Sequence, residues 1–255
     1  MKITKYLSKL AEKRTRNVLA IIVMFACASI CLGEHTITIN SALTPTIDDN
    51  GNRVFPFVAG NSRNQDGTAN YANIFPLDPS NNTLIIKEGA KVGQASGAHI
   101  DDGSNFGSMT GNKVIVNGGD FTGSDIAGAS SFVLTNVVDA NGNRVEINAG
   151  YNIRDVHGGQ TSNGTASDNK VFIKNDVIIG RDVTGGCVHG NGNAEKNKVA
   201  MTGATVGRSV YGGYAGNNGN AENNEVTIIG ATVRGLVYGG CVGDNGDTKN
   251  NKVTI

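Results

Sequence analysis

Short alternations of apolar and polar residues recur through the second half of the chain. Each alternation places two apolar residues two positions apart, and the same pair returns 27 residues later. The clearest pairs are Val199 with Met201, Val226 with Ile228, and Val253 with Ile255. Residues two apart point to the same face of a β-strand. Each unit is therefore predicted to begin with a short strand that buries one side.

The unit repeats without a gap between residues 197 and 250. There NKVAMTGATVGRSVYGGYAGNNGNAEN is followed by NEVTIIGATVRGLVYGGCVGDNGDTKN, and NKVTI begins a further copy at residue 251. More diverged copies open at Asn82, Asn112, Asn143 and Asn169, so the spacings between starts are 30, 31, 26, 28, 27 and 27 residues. Self-similarity at a fixed period of about 20–50 residues is typical of solenoids, propellers and other arrays.

Each copy has the same internal order of elements. A second short strand is predicted at 206–210 and 233–237, and a Gly-Gly pair follows at 158–159, 185–186, 212–213 and 239–240. A tract rich in Gly, Asn and Asp then supplies tight-turn chemistry. Because no sustained 3.6-residue apolar period occurs in residues 81–255, these features predict an all-β parallel β-solenoid, or β-helix, of about six coils with about 27 residues and two or three strands each. A propeller is the alternative, although its blades usually need about 40 residues.

Stacking such units places each starting asparagine over the next. Asparagine side chains aligned in this way can hydrogen-bond along the axis, as in cross-β ladders. The positions of the four prolines agree with this interpretation, because all of them precede residue 81, and proline cannot donate a ladder hydrogen bond.

Residues 1–33 have the pattern of a secretion signal. Six basic residues and one acidic residue precede a 15-residue apolar run from Val18 to Leu32, which is short for a membrane span of about 20 residues. Cleavage is expected after Gly33 or Ala28. An uncleaved anchor and a lipoprotein cysteine at Cys27 or Cys31 are the alternatives. Residues 34–80, with a strand candidate at 36–40, are predicted to be an N-terminal cap or diverged first coils, and residues 81–255 are the solenoid with an incomplete last coil.

Removal of residues 1–33 leaves 16 basic and 21 acidic residues, although the whole chain carries no net charge. A mildly acidic surface without a basic run disfavours nucleic acid and anionic lipid as partners. No membrane span is predicted in the mature chain.

Four residues that directly precede the Gly-Gly pairs form a candidate ligand-binding file on the surface: His157, Thr184, Tyr211 and Tyr238. Aromatic residues flanked by Gly and Asn suit contact with sugars or with a protein partner. The competing interpretation is stacking for stability alone. A second near-periodic file, Arg154, Arg181, Arg208 and Arg234, has Asp155 and Asp182 beside its first two members, and solvation with weak ion pairing is expected there.

Cys187 and Cys241 follow two of the Gly-Gly pairs and are two coils apart. Equivalent positions two coils apart are about 9.6 Å distant at the strand spacing, whereas a disulfide needs Cα atoms within about 7 Å. No intrachain bridge is predicted, and both residues are interpreted as small apolar wall residues.

No metal site, cofactor site or catalytic residue is predicted. GGDFTGSD at 118–125 only faintly resembles the calcium nonapeptide, and DDNGN (48–52), DANGN (139–143) and GDNGD (243–247) lack the spaced carboxylates of an EF-hand loop. The four histidines show no ligand spacing. Asp101 and Asp102 are the sole acidic pair considered for sugar cleavage, but neighbours on a strand point to opposite faces.

The pattern of NKVTI, ATVGRSVYGG and NGNAEN resembles repeats in the passenger regions of autotransporters, the type V secretion proteins of Gram-negative-type bacteria. The resemblance covers residues 112–255 well and residues 1–33 loosely. It implies Sec-dependent export, display at the cell surface or release, and often adhesion. A typical autotransporter ends in a translocator barrel, whereas this sequence stops five residues into a coil. A fragment, a truncated gene and a passenger relative without its own translocator are the three interpretations.

The expected function is therefore that of an exported, outer-membrane-associated surface solenoid of adhesin or structural type without catalysis. Its expected partners are the Sec export machinery and a host glycan or protein. A periplasmic location is expected if no translocator exists. A secreted β-helix carbohydrate-active enzyme and a non-functional remnant are the alternatives.

Overall fold

The computed structural model describes residues 35–47, 53–60, 78–100, 107–174 and 176–255. The predicted signal segment, residues 1–33, and Asp101 and Asp102 lie outside the described residues. In the described part, every regular element is a β-strand. The strands in chain order are β1 (Thr36–Ile39), β2 (Thr46–Ile47), β3 (Arg53–Val54), β4 (Val58–Ala59), β5 (Thr83–Lys87), β6 (Ala95–Ser96), β7 (His99–Ile100), β8 (Ser108–Thr110), β9 (Lys113–Ala127), β10 (Ser130–Ser131), β11 (Asp139–Asn141), β12 (Arg144–Thr161), β13 (Ala166–Ser167), β14 (Lys170–Ile173), β15 (Ile178–Ile179), β16 (Val183–Val188), β17 (Ala194–Glu195), β18 (Lys198–Thr202), β19 (Thr205–Val206), β20 (Val210–Ala215), β21 (Ala221–Glu222), β22 (Glu225–Ile229), β23 (Thr232–Val233), β24 (Val237–Val242), β25 (Thr248–Lys249) and β26 (Lys252–Thr254).

These strands stack as a parallel β-solenoid, which confirms the predicted fold. Strands that open the coils pair in order from β1 through β5, β9, β12, β14, β18 and β22 to β26, always in parallel. The strands that carry the Gly-Gly pairs likewise pair in parallel, from β12 through β16 and β20 to β24. A separate parallel sheet of six short strands, from β8 to β25, closes the coil. The asparagine starts from residue 82 to residue 251 thus define six turns.

The predicted apolar pairs supply the core between these sheets. Val199 and Met201 alternate with partly exposed neighbours along β18, and both are buried. Val199 lies directly over Val171 in one neighbouring coil and over Val226 in the other. A fully buried aliphatic side chain contributes about 1.5–3 kcal/mol relative to exposure. Repetition of the pair in successive coils therefore gives a continuous core that no single coil could form.

The strand candidate at 36–40 is confirmed as β1, which pairs in parallel with β5. β4 adds a second contact, because it pairs with β6. Between β1 and β4 in the chain, β2 and β3 pair in antiparallel fashion. Residues of the 34–80 segment therefore stack on the first repeat, and the capping role of the segment stays a prediction.

An asparagine ladder runs through the interior of the solenoid, as the stacking predicted. Its members are Asn82, Asn112, Asn143, Asn169, Asn197, Asn224 and Asn251. Within it, the Oδ1 atom of Asn197 accepts from the backbone N–H and from Nδ2 of Asn169, both at 3.0 Å. The Nδ2 group of Asn197 donates in turn to Asn224 at 3.0 Å and to the carbonyl of Ala166 at 2.8 Å. The buried amide of Asn197 is thus hydrogen-bonded along the axis and also holds β13, the strand that contains Ala166.

The residue before each ladder asparagine has a left-handed backbone conformation, which explains the turn-rich tract at the end of each copy. Gly111 and Gly142 adopt φ values of 69° and 65° at this position, and Asp168 and Asn223 adopt 56°. Gly, Asn and Asp tolerate this conformation best. Lys196 adopts it as well, with φ of 54°, so the fold imposes the turn even on a residue that disfavours it.

The coil that opens at Asn112 is 31 residues long, the longest of the six. Residues 132–138 have no strand, and Phe132, Leu134 and Val137 are exposed. Beneath them, Val133 and Val138 belong to a second small apolar cluster with Ile100. In the described part of the chain, no helix has the length and hydropathy that crossing a membrane requires.

Candidate functional site

The Gly-Gly pairs lie beside the asparagine ladder, within β12, β16, β20 and β24, and are here called the glycine corner. A Cβ atom on Gly159 would lie 2.6 Å from Oδ1 of Asn169, and one on Gly213 would lie 2.6 Å from Nδ2 of Asn224. Such distances leave no room for a side chain. The second glycine of each pair is therefore required because a buried amide occupies the space beside it. A Cβ atom on the first, as at Gly158, would instead collide with the carbonyl oxygen of the next coil's glycine.

One residue on either side of each Gly-Gly pair belongs to a column that runs from coil to coil. The residues before the pairs are successive register partners in the order His157, Thr184, Tyr211 and Tyr238. The structure therefore brings all four predicted residues into one column. Their role in binding stays a prediction.

Exposure changes along this column. His157 and Thr184 are only 8% and 3% exposed, whereas Tyr238 is 37% exposed. The rings of Tyr211 and Tyr238 stack with their centroids 5.5 Å apart and their planes 9° apart. The predicted file is thus a buried polar end joined to an exposed aromatic end.

A second column, which the sequence analysis did not include among the site residues, follows the Gly-Gly pairs. Gln160, Cys187, Tyr214 and Cys241 are register partners there. The cysteines were interpreted as small apolar wall residues. Cys187 is buried, in agreement with that interpretation, and its Sγ lies 3.8 Å from Nε2 of His189. Both cysteines are free thiols. The signal that could have shown this column was its fixed offset of three residues from the first.

The first three members of each column line a groove of about 400 Å³, here called the outer groove. It spans several coils and combines polar, charged and aromatic side chains. Its lining residues are Asp125, Asp155, His157, Gln160, Arg181, Asp182, Thr184, Cys187, His189, Tyr211 and Tyr214.

Two polar atoms in the outer groove are buried without a hydrogen-bond partner. They are Nδ1 of His157 and Oε1 of Gln160, in side chains that are 8% and 5% exposed. The Nε2 group of Gln160 lies 2.7 Å from Nε2 of His189, so the amide is held on one side alone. A buried polar group without a partner costs about 1–3 kcal/mol. Such atoms in a groove therefore indicate a place where a ligand can supply the missing partners.

Two of the three carboxylates of the outer groove, Asp155 and Asp182, belong to a second axial ladder. Oδ1 of Asp155 accepts the backbone N–H of Asp182 at 2.8 Å, and Oδ1 of Asp182 accepts that of Ser209 at 2.9 Å. Asp125 accepts two hydrogen bonds from Arg154, at 2.8 and 2.7 Å.

The predicted arginine file supplies the opposite charges. Arg181 lies 3.5 Å from Asp155, and Arg208 lies 3.6 Å from Asp182. Arg154 reaches Asp155 as well, at 3.4 Å. Because Arg154, Arg181 and Arg208 are about half exposed, these pairs contribute little to stability. These ion pairs do, however, place an arginine beside each carboxylate of the groove.

Burial changes the proton affinity of several groove side chains. It lowers the pKa of His157, although the nearby carboxylates of Asp125 and Asp155 oppose the shift. Partial desolvation lowers the pKa of His189 as well, although this residue is exposed. It raises the pKa of Cys187 to about 12 and raises the pKa of Tyr214. Near neutral pH the groove therefore presents neutral imidazoles, a thiol and a phenol, and Cys187 is a poor nucleophile.

The weaker sequence candidates do not converge on a site. Asp120, within the 118–125 motif, accepts from the Thr122 N–H and from Asn152, both at 2.9 Å, and pairs with Lys91 at 3.1 Å. The DDNGN motif lies outside the described residues. Among the described residues, no group of three or more His, Cys, Asp or Glu side chains has a metal-binding arrangement.

A scan against protein-family models, a search of the curated proteins and a search of the solved structures each found no match to this chain. The function must therefore be argued from the fold and from the outer groove.

Proposed function

We propose that this protein is an exported β-solenoid that is displayed at the cell surface and binds a ligand in the outer groove without catalysing a reaction. The observation that carries the proposal is the pair of buried, unpartnered atoms, Nδ1 of His157 and Oε1 of Gln160, beside Tyr211 and Tyr214. Ligand-binding sites typically combine aromatic side chains with a few polar atoms that hydrogen-bond to the ligand.

The architecture supports a role in display. A parallel solenoid is held by hydrogen bonds and core contacts between neighbouring coils, so it forms a stiff scaffold with long repetitive faces. The signal-like residues 1–33 and the resemblance of the repeats to autotransporter passengers favour Sec-dependent export and an outer-membrane-associated or secreted location. The ligand that this protein is proposed to bind is a host glycan or a host protein.

Adhesion of cells that express the full gene tests the proposal. We expect surface labelling of intact cells by an antibody against the solenoid, and we expect the double variant Tyr211→Ala/Tyr238→Ala to reduce adhesion to host cells. Tyr151→Ala is the matched control, because Tyr151 is 58% exposed and lies outside the outer groove. Unchanged adhesion of the double variant at equal surface display would contradict the proposal. Absence of the protein from expressing cells would instead favour a non-functional remnant.

A carbohydrate-cleaving enzyme is the second candidate, and one observation favours it. Asp125, Asp155 and Asp182 line the same groove, and paired carboxylates are the usual catalytic groups of glycoside hydrolysis. Their engagement with backbone N–H groups and arginines favours a positioning role over catalysis. Release of reducing sugar from a polysaccharide panel by the purified chain, and its loss in Asp155→Asn, would establish the enzyme.

A further inference from the structure

The unpartnered atoms of the outer groove restrict the chemistry of its ligand. Oε1 of Gln160 can only accept a hydrogen bond, and ionised carboxylates such as Asp155 and Asp182 are also acceptors only. The donor group of Gln160, Nε2, already faces His189 at 2.7 Å. A ligand that completes the groove must therefore carry hydrogen-bond donors.

The charges of the outer groove favour a neutral donor over a cationic one. Asp125, Asp155 and Asp182 each have an arginine within 3.6 Å, from Arg154, Arg181 and Arg208. Burial also keeps the imidazole of His157 neutral. A lysine side chain or another ammonium group would thus meet carboxylates that are already paired, and it would lie beside guanidinium groups that repel it.

The aromatic wall suits a ligand with both C–H and O–H groups. The rings of Tyr211 and Tyr214 meet edge to face, with their centroids 5.8 Å apart and their planes 67° apart. Each ring offers an apolar body and a polar tip. Sugars match this combination, because their C–H faces pack on aromatic rings while their hydroxyl groups donate hydrogen bonds.

We infer that the outer groove binds an uncharged sugar chain, with Tyr211 and Tyr214 packing on the rings and with Gln160 and His157 hydrogen-bonding to hydroxyl groups. This inference rests on the proposed function and names the ligand class of that site. Equivalent positions in adjacent coils are about 4.8 Å apart, which is close to the length of one pyranose unit. The columns therefore allow successive sugar units to lie over successive coils, with the chain parallel to the solenoid axis.

Binding of the purified full chain to an immobilised panel tests this inference. The panel contains neutral hexose and N-acetylhexosamine oligosaccharides, their sialylated and sulfated forms, and poly-L-lysine. The variants are Tyr211→Ala and Gln160→Met, with Tyr151→Ala as the control for loss of an exposed tyrosine. Circular dichroism and thermal unfolding of every variant separate lost binding from lost folding.

We expect wild type and Tyr151→Ala to bind neutral oligosaccharides, and Tyr211→Ala and Gln160→Met to bind at least about tenfold more weakly, which corresponds to about 1.4 kcal/mol. A rise in salt from about 0.1 M to about 1 M should change the affinity for neutral sugars by less than about twofold, because no net charge is involved.

Binding to poly-L-lysine alone, or to sialylated or sulfated sugars alone, would overturn the inference. Equal binding of neutral sugars by wild type, Tyr211→Ala and Gln160→Met would also overturn it. If no sugar binds while displaying cells still adhere to protein-coated surfaces in a Tyr211-dependent manner, the sugar inference fails and the proposed function stands. If Tyr211→Ala changes neither sugar binding nor adhesion, both fail.

Discussion

The inner and outer sides of the glycine corner differ in how their polar atoms are satisfied. On the inner side, every ladder amide from Asn82 to Asn224 donates to the next asparagine and to a backbone carbonyl. On the outer side, a few residues away, His157 and Gln160 each keep a buried atom without a partner.

The two sides also differ in how the sequence repeats. Inside, the same residue returns in each coil, because an amide can continue the ladder only if its neighbour is another amide of the same length. Outside, one column reads His157, Thr184, Tyr211 and Tyr238, and the residue type changes from coil to coil. Identity at a repeated position therefore marks what the fold requires, whereas variation in register marks surface that is available for recognition.

The largest effect is expected where an inner amide is removed. Asn197→Ala would leave the backbone N–H of Asn169 and the carbonyl of Ala166 without partners in a buried site. Each such group costs about 1–3 kcal/mol, so we expect a loss of about 3–5 kcal/mol in the free energy of unfolding. Urea titration followed by circular dichroism measures it.

Asn218→Ala is the matched control for that variant. Asn218 also belongs to an amide ladder, because it donates to Asn191 at 3.0 Å and accepts from Asn245 at 3.3 Å, but the ladder is exposed. Water can replace these bonds, so a change within about 0.5 kcal/mol is expected. Equal losses in the two variants would show that burial does not determine how much the inner ladder contributes to the free energy of unfolding.

A smaller loss is expected when a methyl group is added to the glycine corner. In Gly213→Ala the new Cβ atom would lie 2.6 Å from Nδ2 and 2.7 Å from Cγ of Asn224. Overpacking of this kind costs about 1–3 kcal/mol. Gly107→Ala is the control, because nothing lies within 4 Å of its added Cβ atom. A Gly213→Ala variant as stable as wild type in urea would refute the steric account of the Gly-Gly pairs.

The inner side could be predicted from the sequence, and the outer side only in part. The period, the apolar pairs and the starting asparagines recur, so they indicated the strands, their register and the ladder before any coordinates. The glycine column extends further than the sequence indicated. Cβ atoms on Gly97 and Gly128 would also approach ladder asparagines, at 3.0 Å. Because no second glycine follows either residue, the Gly-Gly motif did not include them.

The outer groove was harder to predict because its parts come from positions that do not repeat in type. The column through Tyr211 was predicted from its place before the Gly-Gly pairs. Gln160 and His189 gave no such signal. No other glutamine shares the register position of Gln160, and His189 follows the end of β16. Burial of His157 could not be predicted either, because it depends on the three-dimensional approach of the neighbouring coils.

The pH dependence of stability separates the buried end of the outer groove from its exposed end. Burial lowers the pKa of His157 in the folded chain below its ordinary value of 6.5. As the pH falls below 6.5, the unfolded chain therefore takes up a proton that the folded chain does not bind, and the free energy of unfolding decreases. We expect thermal stability to fall from about pH 7 to about pH 5, and His157→Gln to flatten this slope in part, because the pKa of His189 is lowered as well.

Carboxylates would not produce the same slope, because they act at lower pH. Burial raises the pKa of Glu146, but hydrogen bonds from Arg144 and Lys113 outweigh it and hold that pKa below 4.5. A hydrogen bond from Lys198 likewise lowers the pKa of Glu225 below 4.5. The stability that these groups contribute is lost only as the pH falls below their unfolded values. Identical slopes for wild type and His157→Gln between about pH 7 and pH 5 would show that the histidine is not held neutral.

The smallest effect is expected for Gln160→Met, and it is the sharpest test of the difference between the two sides. Methionine has a similar shape and removes the unpartnered Oε1 atom, while the exposed His189 can replace its lost partner with water. We expect the free energy of unfolding to stay unchanged or to rise by up to about 1 kcal/mol. Both Asn197→Ala and Gln160→Met remove a buried amide, but only the first amide has all its hydrogen bonds within the protein. A loss above about 1 kcal/mol in Gln160→Met would mean that the glutamine stabilises the fold as the ladder does, and the outer groove would then lose its claim to be a binding site.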